Sequence, residues 1–202
     1  MPALVPTKGN LIAVKRTLSL AKMGFDLMDK KRNILVREMM ALVERAEEIQ
    51  QKIDETFREA YQALQYANIT SGYCESIAEA VAIDDGLLIH TRSVMGAQLP
   101  IVAHTAQPLQ LEYGFMETDS RFDEAYVKFQ RVKGFICQLA EVENSVYRLA
   151  VAIKKTKKRA NALCNVIIPG MQAQVKFISD ALEEKEREDF VRLKVIKMQK
   201  KG

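Results

Sequence analysis

The chain has 202 residues, of which 48% are hydrophobic and 28% are charged, and its formal net charge is +4. This composition is that of a folded chain, and it excludes disordered and collagen-like proteins. Tryptophan is absent and aromatic residues make up only 7%, which favours narrow seams between helices over a wide core.

The cysteines and the amino-terminal region bound the location of the protein. Cys74, Cys137 and Cys164 are odd in number, far apart and not in metal-ligand spacing, so neither a disulfide framework nor a zinc site is indicated. The amino terminus lacks the basic and apolar regions of a signal peptide, and no uncharged apolar stretch approaches the length of a membrane span. We therefore expect a cytoplasmic protein with no direct membrane insertion.

The first predicted element is a long helix that follows the turn signal Pro6–Asn10. Thr7 or Asn10 is suited to cap its first turn. Apolar residues then recur in steps of three and four, which is the pattern of a helix that packs against a partner helix. Only Arg32 breaks this seam, which comprises Leu11, Val14, Leu18, Ala21, Phe25, Met28, Leu35, Met39, Leu42, Ala46, Ile49, Ile53, Phe57, Ala60, Leu64 and Ala67.

The middle region, residues 68–118, differs in composition, because it holds four of the nine glycines and two of the five prolines. A short helix is predicted over Ser71–Val81. Two short runs, Leu87–Met95 and Leu99–His104, are separated by the loop Gly96–Gln98 and predict a small β-hairpin. His90 and His104 could face each other across it, but no carboxylate or cysteine cluster stands beside them, so no metal site is expected.

The second long helix is predicted from Phe122 to about Lys200. We place its seam with interruptions at Glu143 and Lys157, and Pro169 lies within it. The seam residues are Phe122, Ala125, Phe129, Val132, Ile136, Leu139, Val146, Ala150, Ile153, Ala160, Cys164 and Ile167, with the apolar pattern continuing to Ile178.

The two seams have equal length, which predicts an antiparallel helical hairpin. Ala67 then lies near Phe122, and Leu11 lies near Ile178. The chain beyond Ser179 has no partner helix and should project by about 30 Å. The same register brings Arg32 near Lys157, a repulsion that either a shift of the register by one turn or a pairing with Asp29 would relieve.

The predicted fold class is therefore all-α, a long antiparallel two-helix coiled coil with a small middle region that contains a short helix and a β-hairpin. The predicted domains are residues 1–67, 68–118 and 119–202. No phosphate-binding glycine loop, nucleophile motif or metal-ligand spacing occurs, so we expect no enzyme activity, catalytic residue, cofactor or metal. A run of cations, Lys154, Lys155, Lys157, Lys158 and Arg159, is here named the basic belt.

Both ends of the chain carry motifs of a known family. Pro6-Thr7-Lys8 leads to Lys30-Lys31-Arg32, and the carboxyl-terminal half carries Lys155–Leu163, Ile167-Ile168-Pro169 and Glu183–Glu188 followed by Arg192-Leu193-Lys194. Over essentially its whole length, the chain resembles the D subunit of the V-type and A-type ATPases, or ATP synthases. Ala160 and Cys164 are small departures from the family pattern.

The resemblance implies a non-catalytic central rotor shaft. It would couple ATP synthesis or hydrolysis to rotation of the membrane ion-translocating ring. Its paired helix ends would enter a hexamer of catalytic and nucleotide-binding subunits. The bend and hairpin would lie toward the membrane, where the small F subunit of the stalk and the membrane-side cap subunit, C or d, would bind.

Specific contacts follow as expectations. The hexamer contacts would be charged residues of the belt and of the carboxyl-terminal tip, with one from the other arm: Lys8, Lys155, Lys157, Lys158, Arg159, Glu184, Arg187, Arg192 and Lys194. The hairpin residues that could serve either as core or as contacts for the membrane-side partners are Leu88, Ile89, Ile101 and Val102.

Two other classes of protein share parts of this pattern. A nucleic-acid-binding module could use the basic belt, but it would also show interleaved aromatic residues or a groove-reading fold, and neither appears. We therefore expect no nucleic-acid partner. A free-standing coiled-coil adaptor or export-machine stalk would share the helical hairpin, but it would need only the heptads and not the motifs at both ends.

Overall fold

A computed structural model describes residues 5–72, 75–79, 86–104, 113–114 and 118–200. In chain order it contains α1 (Lys8–Ser71), α2 (Glu75–Glu79), β1 (Leu87–Val94), β2 (Ala97–His104), α3 (Ser120–Ala162), a single π-helical turn (Leu163–Ile167) and α4 (Ile168–Gln199). The chain divides into two compact units. We name Ile34–Ile153 the hairpin unit, and Met1–Asn33 together with Lys154–Gly202 the terminal unit. The all-α fold class with a small β-hairpin is confirmed.

The first helix begins and packs as its sequence predicts. The Thr7 hydroxyl oxygen accepts a hydrogen bond of 3.2 Å from the Asn10 backbone N–H, so Thr7 is the capping residue of the two predicted alternatives. Every predicted seam position of α1, from Leu11 to Ala67, is buried or partly buried. The heptad interpretation of α1 is therefore confirmed over its whole length.

In the hairpin unit, α1 and α3 pack antiparallel in the predicted register. Ala67 and Phe122 lie in one buried cluster. The rings of Tyr61 and Phe129 meet edge to face with their centroids 5.6 Å apart. The residue nearer the start of α1, Tyr61, meets the residue further along α3, Phe129, as antiparallel packing requires. The predicted alignment of the two helices is therefore confirmed at this end.

The seam of α3 differs from the predicted one. Ile136 and Ala150 are exposed, whereas Val142 and Leu149 are buried in the main core with Leu35 of α1. Along this part of α3, the spacing between successive buried positions is three residues and then four, whereas the predicted spacing was four and then three. Glu143 therefore does not occupy a seam position, and the predicted interruption is wrong.

The same shift of phase continues in the terminal unit. Thr156 is buried and Lys157 is exposed, so the second predicted interruption is also wrong. Leu163 lies against Gly24 of α1, whereas Cys164, the predicted seam residue, is exposed.

The terminal unit contains an ion pair that offsets a charge repulsion and a π-helical turn that changes the winding of the helix. Arg32 forms an ion pair of 2.6 Å with Asp29, the partner proposed to relieve its repulsion with Lys157. The π-helical turn ends at Ile167, two residues before Pro169, and the helix continues beyond the proline. Partly buried positions step by four twice, from Leu163 to Ile167 and on to Met171, before Ile178 is buried. A π-turn accommodates one extra residue, so it keeps the later positions facing α1.

The β-hairpin is tighter than predicted. Val94 pairs with Ala97 across a two-residue turn, in which Met95 and Gly96 have φ angles of 49° and 78°. Positive φ at both positions defines the turn that best matches the twist of two antiparallel strands. The predicted loop Gly96–Gln98 is therefore one residue too long.

The hairpin packs along the helix pair and is not confined to the bend. Ala97 and Leu99 are buried in the main core with Leu42 and Val142. Arg92 forms an ion pair of 3.0 Å with Glu38 of α1. These contacts fix the turn end of the hairpin against the helices. His90 pairs with Ile101 and His104 pairs with Leu87, so the two histidines are not opposite each other.

A buried tyrosine closes the smaller core near the start of α3. The Tyr113 ring meets the rings of Phe122 and Tyr126 edge to face, with centroids 4.8 Å and 5.6 Å apart. Its hydroxyl donates a hydrogen bond of 2.5 Å to Asp123 Oδ1. Burial raises the pKa of Tyr113, and the hydrogen bond to the Asp123 carboxylate raises it further.

We expect Tyr113→Phe to lower the free energy of unfolding by about 2 kcal/mol at neutral pH, because it removes a hydrogen bond to a charged acceptor. The pKa of Tyr113 is raised in the folded state, so this stabilisation is present below the ordinary tyrosine pKa of about 10 and is lost as the pH rises through the raised value. The difference between the two proteins should therefore shrink above about pH 10 in urea unfolding followed against pH. Tyr147→Phe, at a ring that is 70% exposed, is the matched control and should show no difference.

Candidate functional site

The basic belt forms a continuous charged surface on α3. Its five residues, Lys154, Lys155, Lys157, Lys158 and Arg159, are all exposed, while Thr156 between them is buried. At about 100° of rotation per residue, the five cations cover an arc of roughly 200° around the helix. The buried threonine faces the partner helix, so the cations occupy the outward arc.

The charge of the belt is not neutralised by neighbours on its own helix. No aspartate or glutamate occurs between Asn144 and Ser179. Within the described part of the chain, no ion pair includes a belt residue. Because carboxylates of a partner molecule would meet no internal competitor here, the belt is available for contact with an acidic surface.

The carboxyl-terminal end of α4 is the most exposed part of the terminal unit. Every residue from Glu183 to Lys200 is exposed. α1 begins at Lys8, and Lys8 Nζ forms an ion pair of 2.8 Å with Glu186 Oε1. The residues of α4 after Glu186, here named the tip, therefore lie beyond this contact at the start of α1, whereas the predicted overhang began at about Ser179.

The predicted charged contacts of the tip are already paired along the helix. Arg187 lies 3.6 Å from Glu184, and Arg192 lies 3.6 Å from Glu188. These pairs are highly exposed and exchange easily with water, so they stabilise the helix only slightly and leave both arginines accessible. Lys194 is exposed as well.

Lys8 has a structural contact that its sequence position did not reveal. The hydrogen bond and charge of Glu186 raise the pKa of Lys8, and Lys8 in turn lowers the pKa of Glu186. The pair joins the first turn of α1 to α4 at the place where the two helices cease to pack. Lys8 therefore marks the base of the tip.

Sequence reasoning missed the exposed apolar side chains of the tip. Six large apolar side chains are 48% to 69% exposed: Phe190, Val191, Leu193, Val195, Ile196 and Met198. Their signal was visible in the sequence, because no partner seam remains for them after Ile178. A dense group of exposed apolar side chains marks a surface that another molecule covers.

The hairpin residues named from the sequence fall into two groups. Leu88 is 54% exposed and Ile89 is 64% exposed, whereas Ile101 and Val102 are partly buried. The Val102 backbone N–H donates a hydrogen bond of 2.8 Å to Glu141 Oε2 of α3. β1 therefore presents the accessible apolar residues, and β2 lies against the helices.

The described part of the chain contains neither a group of metal ligands nor a helix suited to cross a membrane. Within those ranges, no three His, Cys, Asp or Glu side chains are grouped so as to hold a metal ion. None of the described helices has the length and apolar character needed to cross a membrane. The accessible features are a basic helix face and a group of exposed apolar side chains, and together with the fold they define a helical coiled-coil protein.

Comparison with known proteins gives the family. The family model for the D subunit of ATP synthase matches residues 10–198. The chain is 41% identical over 197 residues to the V-type ATP synthase D subunit of Thermotoga neapolitana, covering 96% of this chain and 97% of that protein. It is 38% identical over 197 residues to the A-type ATP synthase D subunit of Thermococcus kodakarensis, covering 95% and 92%. The chain belongs to the ATP synthase D-subunit family.

Proposed function

We propose that this protein is the non-catalytic central rotor shaft of a V-type or A-type ATP synthase. In this role it couples ATP synthesis or hydrolysis in a catalytic hexamer to rotation of a membrane ion-translocating ring. The observation that carries the proposal is the tip of α4, which extends past the start of α1 with its apolar side chains uncovered. Membership of the D-subunit family supports the same role.

The tip is suited to insertion into a protein cavity. Six apolar side chains gain by removal from water, while the charged residues between them keep the helix intact in the absence of a partner. A helix end with these properties fits the interior of a ring of subunits better than open solvent. In this proposal the tip lies inside the hexamer of catalytic and nucleotide-binding subunits.

The coupling mechanism follows from asymmetry. One shaft cannot contact three equivalent catalytic interfaces in the same way, so each rotary angle stabilises a different set of open and closed sites. Shifting one site from mostly open to mostly closed takes about 5.5 kcal/mol of differential contact. Rotation makes the sites exchange states in turn, and closure of the sites during hydrolysis turns the shaft.

The basic belt would supply a second, sliding contact with the hexamer. Its cations are exposed and have no carboxylate on their own helix nearby, so acidic groups on the inner surface of a hexamer would pair with them. Exposed ion pairs form and break at small cost in free energy, which suits a surface that turns past its partner. Lys155, Lys157, Lys158 and Arg159 would make these contacts.

The hairpin unit would bind the partners nearer the membrane. The exposed Leu88 and Ile89 of β1 are the accessible apolar residues for the small F subunit of the stalk or for the cap subunit, C or d. Ile101 and Val102 are partly buried and would support the hairpin from within.

Co-expression with the two kinds of hexamer subunit and the F subunit tests the role directly. Purification through a tag on this chain should yield one copy for every three catalytic subunits, in a complex that hydrolyses ATP. A chain that purifies alone, or as a homo-oligomer indifferent to the hexamer, would contradict the shaft and favour a free-standing coiled-coil adaptor.

Replacing Lys155, Lys157, Lys158 and Arg159 together by alanine should leave thermal unfolding nearly unchanged. Hexamer affinity should fall roughly thirtyfold, since each exposed charge contact contributes about 0.5 kcal/mol. ATP-driven rotation, followed by a probe attached to the shaft, should slow in parallel. The control variant removes the same charge from exposed positions of the hairpin unit: Arg37, Arg45, Lys52 and Arg58. Equal torque and ATP hydrolysis for the belt variant and the wild type would rule out a role for the belt.

A further inference from the structure

Along each strand of the hairpin, the backbone N–H and C=O groups of alternate residues point toward the other strand. Those of the residues between them point away, to the outer edge of the sheet. On β2, the Val102 N–H bonds Glu141, and the Gln98 carbonyl oxygen accepts a hydrogen bond of 3.1 Å from Arg148 Nη1. Both groups point away from β1, so residues 98, 100 and 102 are the outward positions of β2. Antiparallel pairing sets Gln98 opposite Ser93 and Val102 opposite Ile89. The outward positions of β1 are therefore the odd-numbered ones from Leu87 to Ser93.

The outer edge of β2 is occupied by α3 side chains at two of its outward positions. Glu141 accepts its outward N–H at Val102, and Arg148 donates to its outward carbonyl at Gln98. Pro100, at the outward position between them, has no N–H to offer. Proline and charged side chains are the devices by which proteins prevent a strand edge from pairing with another strand.

The outer edge of β1 carries none of these devices. Residues 87–93 are all exposed, and within the described ranges the sheet contains only β1 and β2. The outward residues Leu87, Ile89, Thr91 and Ser93 each have a backbone N–H, and none is charged. Arg92, the one arginine or lysine of this strand, forms an ion pair with Glu38 of α1 and places no charge along the outer edge of β1.

The side chains beside this edge have a directional pattern. Leu87 is 43% exposed and Ile89 is 64% exposed at one end, whereas Thr91 and Ser93 are polar at the other. These four side chains share one face of the sheet, because side chains alternate along a strand. A strand laid along β1 would therefore meet an apolar half and a polar half.

We propose that the outer edge of β1 is a docking strand, which adds an extended segment of another protein chain of the complex to the hairpin as a third strand. Backbone hydrogen bonds at Leu87, Ile89, Thr91 and Ser93 bind the segment. Its apolar residues lie beside Leu87 and Ile89, and its polar residues lie beside Thr91 and Ser93. The identity of the chain that supplies the segment rests on the proposed function, whereas the open edge is a property of this chain.

The side-chain pattern argues against a second copy of this chain as the occupant. Antiparallel pairing of two β1 strands in full register would set Leu87 opposite Ser93 and Ile89 opposite Thr91. Cross-strand pairs of apolar with polar side chains lack the contacts that stabilise a sheet. A segment whose apolar residues lie beside Leu87 and Ile89, and whose polar residues lie beside Thr91 and Ser93, is the better occupant.

Residue-resolved amide hydrogen exchange tests the proposal within a single strand. The probes are this chain alone and the complex formed by co-expression with the hexamer subunits, the F subunit and the cap subunit. In the chain alone, the outward amides of Ile89, Thr91 and Ser93 should exchange fast, while the inward amides of His90 and Arg92 exchange slowly and serve as the internal reference. In the complex, the outward amides should slow by at least a hundredfold.

A matched pair of variants tests the backbone contact itself. Thr91→Pro removes one outward N–H, whereas Thr91→Ala removes only the side chain. Capture of the F subunit or the cap subunit by the tagged complex should fall at least tenfold with proline and stay unchanged with alanine. Ile89→Lys, which places a charge at the edge without altering the backbone, should lower capture similarly and guards against misfolding of the proline variant.

Three other results would overturn either the docking strand or the proposed function. Outward amides that exchange equally fast in the chain and in an intact complex would overturn the docking strand and leave the shaft role standing. Slow exchange of these amides in the isolated chain would show that the edge is already paired within the chain or between copies, and would also overturn it. Failure of the chain to enter the complex would instead contradict the proposed function.

Discussion

Leu149→Ala is expected to lower the free energy of unfolding by about 3 to 4 kcal/mol, the middle of the range for a buried leucine. The Leu149 side chain is fully buried, and it lies in the main core with Leu35 and Leu42 of α1 and Leu99 of the hairpin. It shares this core with two other elements, α1 and β2, so neither can move inward alone to fill the cavity that alanine would leave. Urea unfolding followed by circular dichroism measures the loss.

Ile136→Ala is the matched control, because it removes a similar side chain from the same helix. Ile136 is 45% exposed, so its replacement should cost less than about 1 kcal/mol. The pair also distinguishes the two possible phases of the α3 seam. A larger loss at Ile136 than at Leu149 would mean that the helix faces α1 with the phase we first predicted.

The triple substitution of Phe190, Leu193 and Ile196 by glutamine is expected to raise the Kd of this chain for its hexamer roughly a thousandfold. Each of the three side chains would lose about 1.5 kcal/mol of burial, or about 4.5 kcal/mol together. All three are at least 52% exposed in the chain itself, and glutamine is a good helix former, so thermal unfolding should hardly change. Binding of the tagged chain to preassembled hexamer measures the effect.

A second triple variant separates apolar burial from charge contact at the same tip. Glutamine in place of Lys194, Lys197 and Lys200 removes three exposed cations and keeps every apolar side chain. Its effect should be roughly tenfold and should vanish at high salt, whereas the apolar variant should be insensitive to salt. Equal, salt-dependent losses for the two variants would mean that the tip binds through charge alone.

The first helix shows how much a periodic sequence can determine. The seam from Leu11 to Ala67 and the pairing of Ala67 with Phe122 follow from the sequence and agree with the structure. For the cap, the sequence left Thr7 and Asn10 as alternatives, and the structure selects Thr7. Apolar steps of three and four allow only one face of α1 to be buried. Equal seam lengths then align the two helices.

The phase of α3 could not be settled in the same way. Val142 and Glu143, or Leu149 and Ala150, offer two adjacent series that differ by one residue, and both fit steps of three and four. The choice depends on which series faces α1 and the hairpin together. Leu99 packs into the core that Val142 and Leu149 share, and this three-way contact between distant segments decides the phase.

The candidate interaction surfaces divide along the same line. Charge runs, seam lengths and turn residues are local features, so the basic belt, the overhang and the hairpin could all be predicted before the fold was known. The pairing of Lys8 with Glu186, the blocked edge of β2 at Glu141 and the open edge of β1 emerged only from the folded chain. Such features join residues far apart in the chain, so they depend on packing between elements, which no local pattern specifies.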